Sequence, residues 1–202
     1  MTKPKNNLRI GIYAGTFNPV HTGHIAFALQ AIEAAQLDSV YFMPERRPRD
    51  KATVEHFGHR IAMLERATRP HPQLEVLDLV DVNFSVLRTL PQLQLMFPNG
   101  QLVFLVGSDV APSVSQWPYA EQLLKQAELV VGVRADDDLE ALKALIASWS
   151  PSPLAVTIFD SYAPSVSSST IRRAIQNREI TQGLLPSVQR YSDHHWLYVS
   201  LA

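Results

Sequence analysis

The chain has 202 residues, 46% of them apolar and 18% charged, with a formal net charge of −1. That length can bury a sizeable core in one α/β domain, and so even a charge balance excludes a surface built to coat nucleic acid. There is no cysteine, which excludes disulfides, thiolate nucleophiles and Cys-based zinc or iron–sulfur sites.

Residues 1–7, MTKPKNN, lead into no apolar segment long enough for a signal peptide or a membrane span, so a cytoplasmic protein is expected. A first strand is predicted over 8–14 and a first helix, alanine-rich, over 24–36. Between them runs AGTFNPVHTGH, residues 14–24, a tight turn carrying Gly15, Gly23 and two histidines, His21 and His24. A strand-to-helix turn of this kind offers backbone N–H groups and the positive end of a helix dipole to an anion. A second strand spans 39–43, followed by the loop Pro44 to Lys51, PERRPRDK, which reads either as a solvated loop or as a mobile, phosphate-facing lid. A helix over 55–68 carries His56 and His59, read as surface or structural residues, as are His194 and His195. Further strands are predicted over 74–80, 101–106, 128–133 and 154–159. Helices fall near 85–97, 119–126 and 137–148, and another opens near Ser168. Pro91 lies inside the 85–97 stretch, where it would kink the helix unless it begins a new first turn.

Strands apolar on both faces and spaced by helices predict a single α/β domain, a Rossmann-like doubly wound parallel sheet over 1–202. Its ligands would sit at the carboxyl ends of the strands. The C-terminal segment from about 165 to 202 is expected to be helical and to carry a phosphate-binding motif.

His21 and His24, three residues apart at a helix start, can turn both rings toward one ligand, and imidazole N–H groups stabilise charge that develops in phosphoryl transfer. Taken alone, the pair fits equally well two part-buried structural histidines or half of a metal site. A zinc hydrolase would want a third ligand and a general base in a recognisable frame. The serine cluster Ser167-Ser168-Ser169-Thr170 before a helical run is an N-cap whose hydroxyls and first-turn amides can hold an anion, with Arg172 adding a bidentate charge; it also fits an ordinary capped helix. Gly107 and Asp109 close the strand QLVFLV and suit a ribose or backbone contact, or a simple turn. Trp117, beside Pro118 in a polar loop, suits stacking on a ligand or packing in the core.

The string Gly15-Thr16-Phe17-Asn18-Pro19-Val20-His21-Thr22-Gly23-His24 resembles the G-[TS]-F-[DN]-P-x-H/T-x-G-H signature of the nucleotidyltransferase superfamily, and Val166 to Arg172 resembles its I-S-x-T-x-I-R element. The resemblance implies that Gly15, Thr16, Phe17, Gly107, Asp109, Ser167, Ser169 and Thr170 bind ATP. It implies that His24 stabilises the α-phosphate with His21 assisting, and that Arg172 holds the β- and γ-phosphates while Arg173 faces solvent or helps. Over nearly its full length the chain is most similar to the bacterial nicotinate-mononucleotide adenylyltransferase family: His59 to Leu64, Ala127 to Arg134 and Leu184 to Tyr191 resemble its R-x-x-M-L, A-x-L-I-V-x-x-R and L-L-P-x-x-V-x-x-Y segments. That likeness assigns Trp117, Ser85, Thr89 and Arg134 to the acceptor side. Ser85-Val86 departs from the family's Tyr-Thr, and PERRPRDK lacks its P-P-H-K.

The implied reaction transfers AMP from ATP to nicotinate mononucleotide, giving deamido-NAD and pyrophosphate in NAD biosynthesis. Mg2+ would be carried by the ATP, with no metal site of the protein's own. The expected partners are ATP and a mononucleotide acceptor, with no nucleic acid and no membrane, and a homo-oligomer left open. Alternatives are the same transfer to nicotinamide mononucleotide, phosphopantetheine or a phosphorylated alcohol, a non-catalytic nucleotide-binding regulatory module, and a metal-dependent hydrolase built on the histidine pairs.

Overall fold

Six apolar runs form strands β1 (Leu8–Gly15), β2 (Ser39–Pro44), β3 (Leu74–Val76), β4 (Gly100–Gly107), β5 (Glu128–Val133) and β6 (Val156–Asp160). All pair in parallel in the order β3-β2-β1-β4-β5-β6. The structure is a computed structural model and describes residues 8–48, 53–81, 83–162 and 166–199. Seven α-helices connect and cover the strands: α1 (Thr22–Ala35), α2 (Phe57–Thr68), α3 (Val86–Met96), α4 (Ala120–Gln126), α5 (Leu139–Ala147), α6 (Ser168–Asn177) and α7 (Pro186–His194). The strand order reverses between β1 and β4, so the carboxyl ends of those two strands bound the crevice where such sheets take ligands.

Alternation along the strands assigns side chains to two cores. On β4, Val103 and Leu105 face the cluster that holds α1, α2 and α7, whereas Leu102, Phe104 and Val106 face the cluster with α3, α4 and α5. Helix α1 buries Ile25, Ala28, Ile32 and Ala35, a 3–4–3 spacing that keeps one stripe on the sheet. Each fully buried aliphatic side chain contributes about 1.5–3 kcal/mol of transfer free energy. Arg9 of β1 adds a bidentate bridge to Glu128 of β5, at 3.0 and 2.7 Å, and donates to the Ala35 carbonyl at the end of α1.

Three predicted elements differ. The strand expected over 74–80 ends at Val76. Leu77 N–H still donates to the Phe42 carbonyl, but Arg46 then takes over, donating to the Leu79 carbonyl at 2.8 Å and to the Asp78 carboxylate at 2.5 Å. The sixth strand starts at Val156 rather than 154, because Leu154 N–H is spent on the Leu124 carbonyl. Helix α3 runs straight through Pro91 as one element: Thr89, Leu90 and Leu93 are buried on both sides of the proline and anchor the two halves to the same face. A 3₁₀ turn over Ala111–Gln116, with no helical periodicity to announce it, is additional.

Gly132 sets the approach of α1 to β5, since a Cβ there would lie 2.3 Å from the Phe27 ring. Gly132→Ala is expected to cost about 1–3 kcal/mol by overpacking, seen as a lower urea midpoint at unchanged slope.

Candidate active site

The turn after β1 folds its apolar residue inward. Phe17 takes a positive φ of 50° and is 3% exposed, with its ring edge-on to Tyr13 and to His24 at 5.4 and 5.0 Å between centroids. His21 stands at the N-cap of α1 with extended backbone. Its N–H donates to His24 Nδ1 at 3.2 Å, so a neutral His24 carries its proton on Nε2 and offers that nitrogen as donor. The two imidazoles stack at 3.7 Å between centroids and 27° between planes. His21 is the buried member, 5% exposed, and its Nδ1 has no partner among the described residues. Burial pushes its pKa down to about 4, so it is neutral near pH 7. The two expected catalytic histidines therefore separate: half-buried His24 offers a donor, and His21 holds it in place by stacking and through its backbone N–H.

The second segment expected to bind an anion docks on this turn. Ser167 caps α6, its Oγ accepting Thr170 N–H at 3.1 Å and meeting the hydroxyls of Ser169 and Thr170 at 2.9 and 2.7 Å. Ser168 Oγ donates to the Pro19 carbonyl and Arg172 Nη1 to the Asn18 carbonyl, each at 2.8 Å. Ser167, Ser169, Thr170 and Arg173 are exposed and Arg172 is half-buried. Thr22 N–H, in the first turn of α1, donates to the Gly183 carbonyl, which ties the C-terminal segment to the same place.

Behind the turn lies a set of braces whose contacts the sequence motifs do not show. Asn18 Oδ1 accepts from Glu55 N–H and from Tyr198 Oη, at 3.2 and 2.9 Å, and Glu55 Oε1 accepts Tyr198 N–H. Arg60, 1% exposed, donates to three backbone carbonyls: Thr16 at 2.8 Å, Glu55 at 3.0 Å and Arg46 at 3.1 Å. The available signal for Arg60 was its position: with Met63, Leu64 and Ala67 it follows the buried stripe of α2.

At the end of β4, Gly107 leaves room for Asp109, whose Oδ1 would lie 2.5 Å from a Cβ at that glycine. Asp109 and Arg134 are both exposed and act electrostatically on Tyr13. That phenol's pKa is pushed far up, first by burial and then by Asp109, with Arg134 opposing. Arg134, directly after β5, is thus within electrostatic reach of Tyr13. The other residues expected on the acceptor side gather: Ser85 N–H donates to Thr89 Oγ1, Trp117 Nε1 donates to Ser113 Oγ, and the Trp117 ring meets Phe84 edge-on at 5.6 Å. Thr89 is 1% exposed, and its hydroxyl also donates to Asp81 at 2.8 Å. With both of its hydrogen-bonding directions engaged, Thr89 holds Asp81 in position. Phe84, Asp81, Glu45 and Thr89 line a cavity of about 10 Å³ there.

The lid reading of 44–51 does not fit Arg46, which is paired with Asp78 and lies 4.3 Å over the Phe57 ring; residues 49–51 lie outside the described residues. His56 caps α2, and His59 Nδ1 meets Tyr191 Oη at 3.0 Å. No group of three or more His, Asp or Glu among the described residues is placed to hold a metal ion. No helix among them is long and apolar enough to cross a membrane.

Residues 12–174 match the cytidylyltransferase-like family. The chain is 30% identical over 197 residues to a probable nicotinate-nucleotide adenylyltransferase of Neisseria meningitidis serogroup C, covering 94% of this chain and 98% of that one. It is 33% identical over 202 residues to a probable nicotinate-nucleotide adenylyltransferase of Synechococcus sp., covering 95% of each. Its fold is similar to that of Plasmodium falciparum nicotinic acid mononucleotide adenylyltransferase complexed with NaAD, with a TM-score of 0.78 at 18% identity over 95% of this chain and 98% of that one.

The buried His21 carries a pH dependence. The unfolded chain takes up a proton near pH 6.5 and the folded one only near 4, so stability is full above the first value and falls as pH drops toward the second. The loss reaches about 3 kcal/mol. Urea unfolding of wild type and His21→Gln at pH 4.5 and 7 should show a smaller pH effect in the variant.

Proposed function

The chain belongs to the cytidylyltransferase-like family, and we propose that it transfers AMP from ATP to nicotinate mononucleotide, giving deamido-NAD and pyrophosphate, a step of NAD biosynthesis. The names carried by relatives of 30% and 33% identity over almost the whole chain support the acceptor. The observation that carries the chemistry is the docking of Ser168 and Arg172 on the Pro19 and Asn18 carbonyls, which joins both anion-binding segments beside His24.

In this reading an oxygen of the mononucleotide's 5′-phosphate forms a bond to the α-phosphorus of ATP, in line with the bond that breaks to release pyrophosphate. An ionised phosphate is already a nucleophile, so the protein supplies position and charge stabilisation and no general base. His24 Nε2–H donates to an α-phosphate oxygen, where negative charge grows in the transition state. Arg172 commits one nitrogen to Asn18 and directs the others, with the hydroxyls at the start of α6, at the β- and γ-phosphates. Gly15, Thr16 and Phe17 shape the cradle, and Asp109 at the end of β4 takes the nucleoside side. Ser85 and Trp117 form the acceptor wall, with Arg134 across the strand ends. Mg2+ would arrive as the ATP complex, coordinated chiefly by phosphate and water, and would neutralise charge on the departing pyrophosphate.

His24→Ala should leave the ATP dissociation constant within about threefold and lower turnover by about 10²–10³, measured by calorimetry and by pyrophosphate release. Turnover close to wild type would remove His24 from the reaction. With ATP and a panel of nicotinate mononucleotide, nicotinamide mononucleotide and phosphopantetheine, pyrophosphate release should be fastest with the first. A different preferred acceptor overturns the substrate and leaves adenylyl transfer standing.

A further inference from the structure

A second concave surface opens where α2 meets α7. It measures about 500 Å³ and is walled by Arg66 of α2 and Arg69, which follows it directly, by Arg190, Tyr191 and His194 of α7, and by His195, which follows α7 directly. None of the residues assigned above to ATP or the acceptor lines it. Ser187 Oγ donates to the Arg66 carbonyl at 3.4 Å and joins the two helices at its base.

The groove gathers positive charge without a counter-charge. No carboxylate lines it, and among the described residues none of its three arginines makes an ion pair, although the chain carries nearly equal numbers of acidic and basic residues. Basic side chains on a solvated face usually diverge, whereas these converge on one concavity. Parts of the wall are also fixed in place. Arg66 donates to the Ala62 carbonyl at 2.7 Å and its guanidinium lies 4.3 Å over the Tyr191 ring, while Tyr191 Oη is held by His59 Nδ1 at 3.0 Å. His195, although exposed, is kept below its usual pKa by partial desolvation of its ring and by repulsion from His194, His59 and Arg66.

We propose that this groove is a binding site for a small oligophosphate, an anion of two or more linked phosphate groups, separate from the ATP site. Its size is that of a small-molecule site. The face of its tyrosine is already taken, because the Tyr191 ring packs against Arg66 and against His195, the latter at 4.3 Å between centroids. The groove is not shaped for a nucleic-acid strand, which takes a long basic track and stacking platforms with open faces. Three arginines with imidazole donors at their side match several phosphate oxygens at once.

The test is calorimetric titration with inorganic tripolyphosphate of the wild type, of the Arg69→Gln/Arg190→Gln double variant and of Arg172→Ala. Both groove arginines are exposed, so the double variant should fold, and its adenylyl transfer at saturating substrate should match wild type. The expected result is two classes of binding in the wild type, one lost in Arg172→Ala and a second that persists there but weakens about tenfold or more in the double variant, accompanied by shifts of the His194 and His195 ring resonances. Binding that disappears with Arg172→Ala and is unchanged in the double variant would overturn the proposal by assigning all of it to the ATP site. A short single-stranded oligonucleotide that binds the groove more tightly than tripolyphosphate would overturn it in favour of a nucleic-acid surface.

Discussion

Two carbonyl oxygens, those of Asn18 and Pro19, hold the site together. They receive Arg172 and Ser168 from a helix 154 and 149 residues further along the chain. A hydrogen bond from a charged group contributes about 1.5–3 kcal/mol, but its geometric effect matters more. The guanidinium is a rigid fork, so fixing one nitrogen on Asn18 aims the others. A lysine on the same bond would keep the charge and lose the direction. For the carbonyls to serve as a template they must themselves be fixed, and they are: Phe17 is sunk into the core on one side, and Asn18 is gripped by Glu55 and Tyr198 on the other.

Arg60 performs the matching task on the strand side. A guanidinium this deep costs several kcal/mol to desolvate unless its donors are met. Here they meet three backbone carbonyls, at Thr16, Glu55 and Arg46. One side chain therefore sets the separation of three loops, each of which leads to part of the site. Its burial also leaves a cation in low-dielectric surroundings next to the phosphate cradle, where a charge acts over a longer range than at the surface.

Much of this was legible in the sequence, and the failures have definite causes. Alternation along LVFLV and ELVVGV shows strands covered on both faces, and the Gly15–His24 and Ser167–Arg172 strings mark a turn and a helix start that the fold brings together. What the pattern cannot show is a contact made across the chain. The 74–80 run ends as a strand at Val76 because Arg46, 32 and 33 residues earlier, captures Asp78 and Leu79. Arg60 stands in a segment that resembles the family's, yet its bond to Thr16, like that of Tyr198 to Asn18, is made only by the fold. The resemblance already set His24 ahead of His21, but the difference in depth between them is not encoded in the spacing.

The same reasoning explains why the ATP side keeps a recognisable motif while the acceptor side departs from its family's. The cradle is backbone, so few sequences build it. The proposed acceptor wall draws on side chains of separate elements, Ser85 and Phe84 before α3 and Trp117 after the 3₁₀ turn, and such a wall can change residues while keeping its place. What keeps its place is Glu45, directly after β2. Its N–H donates to the Gly15 carbonyl in the cradle at 3.0 Å, and its Oε1 accepts Phe84 N–H in the acceptor wall at 3.3 Å. In-line transfer needs the reacting atoms about 3–3.5 Å apart, so the separation of the two walls constrains the reaction more tightly than the identity of any residue in the second wall. A single residue that bonds to both walls is the shortest physical means of holding that separation.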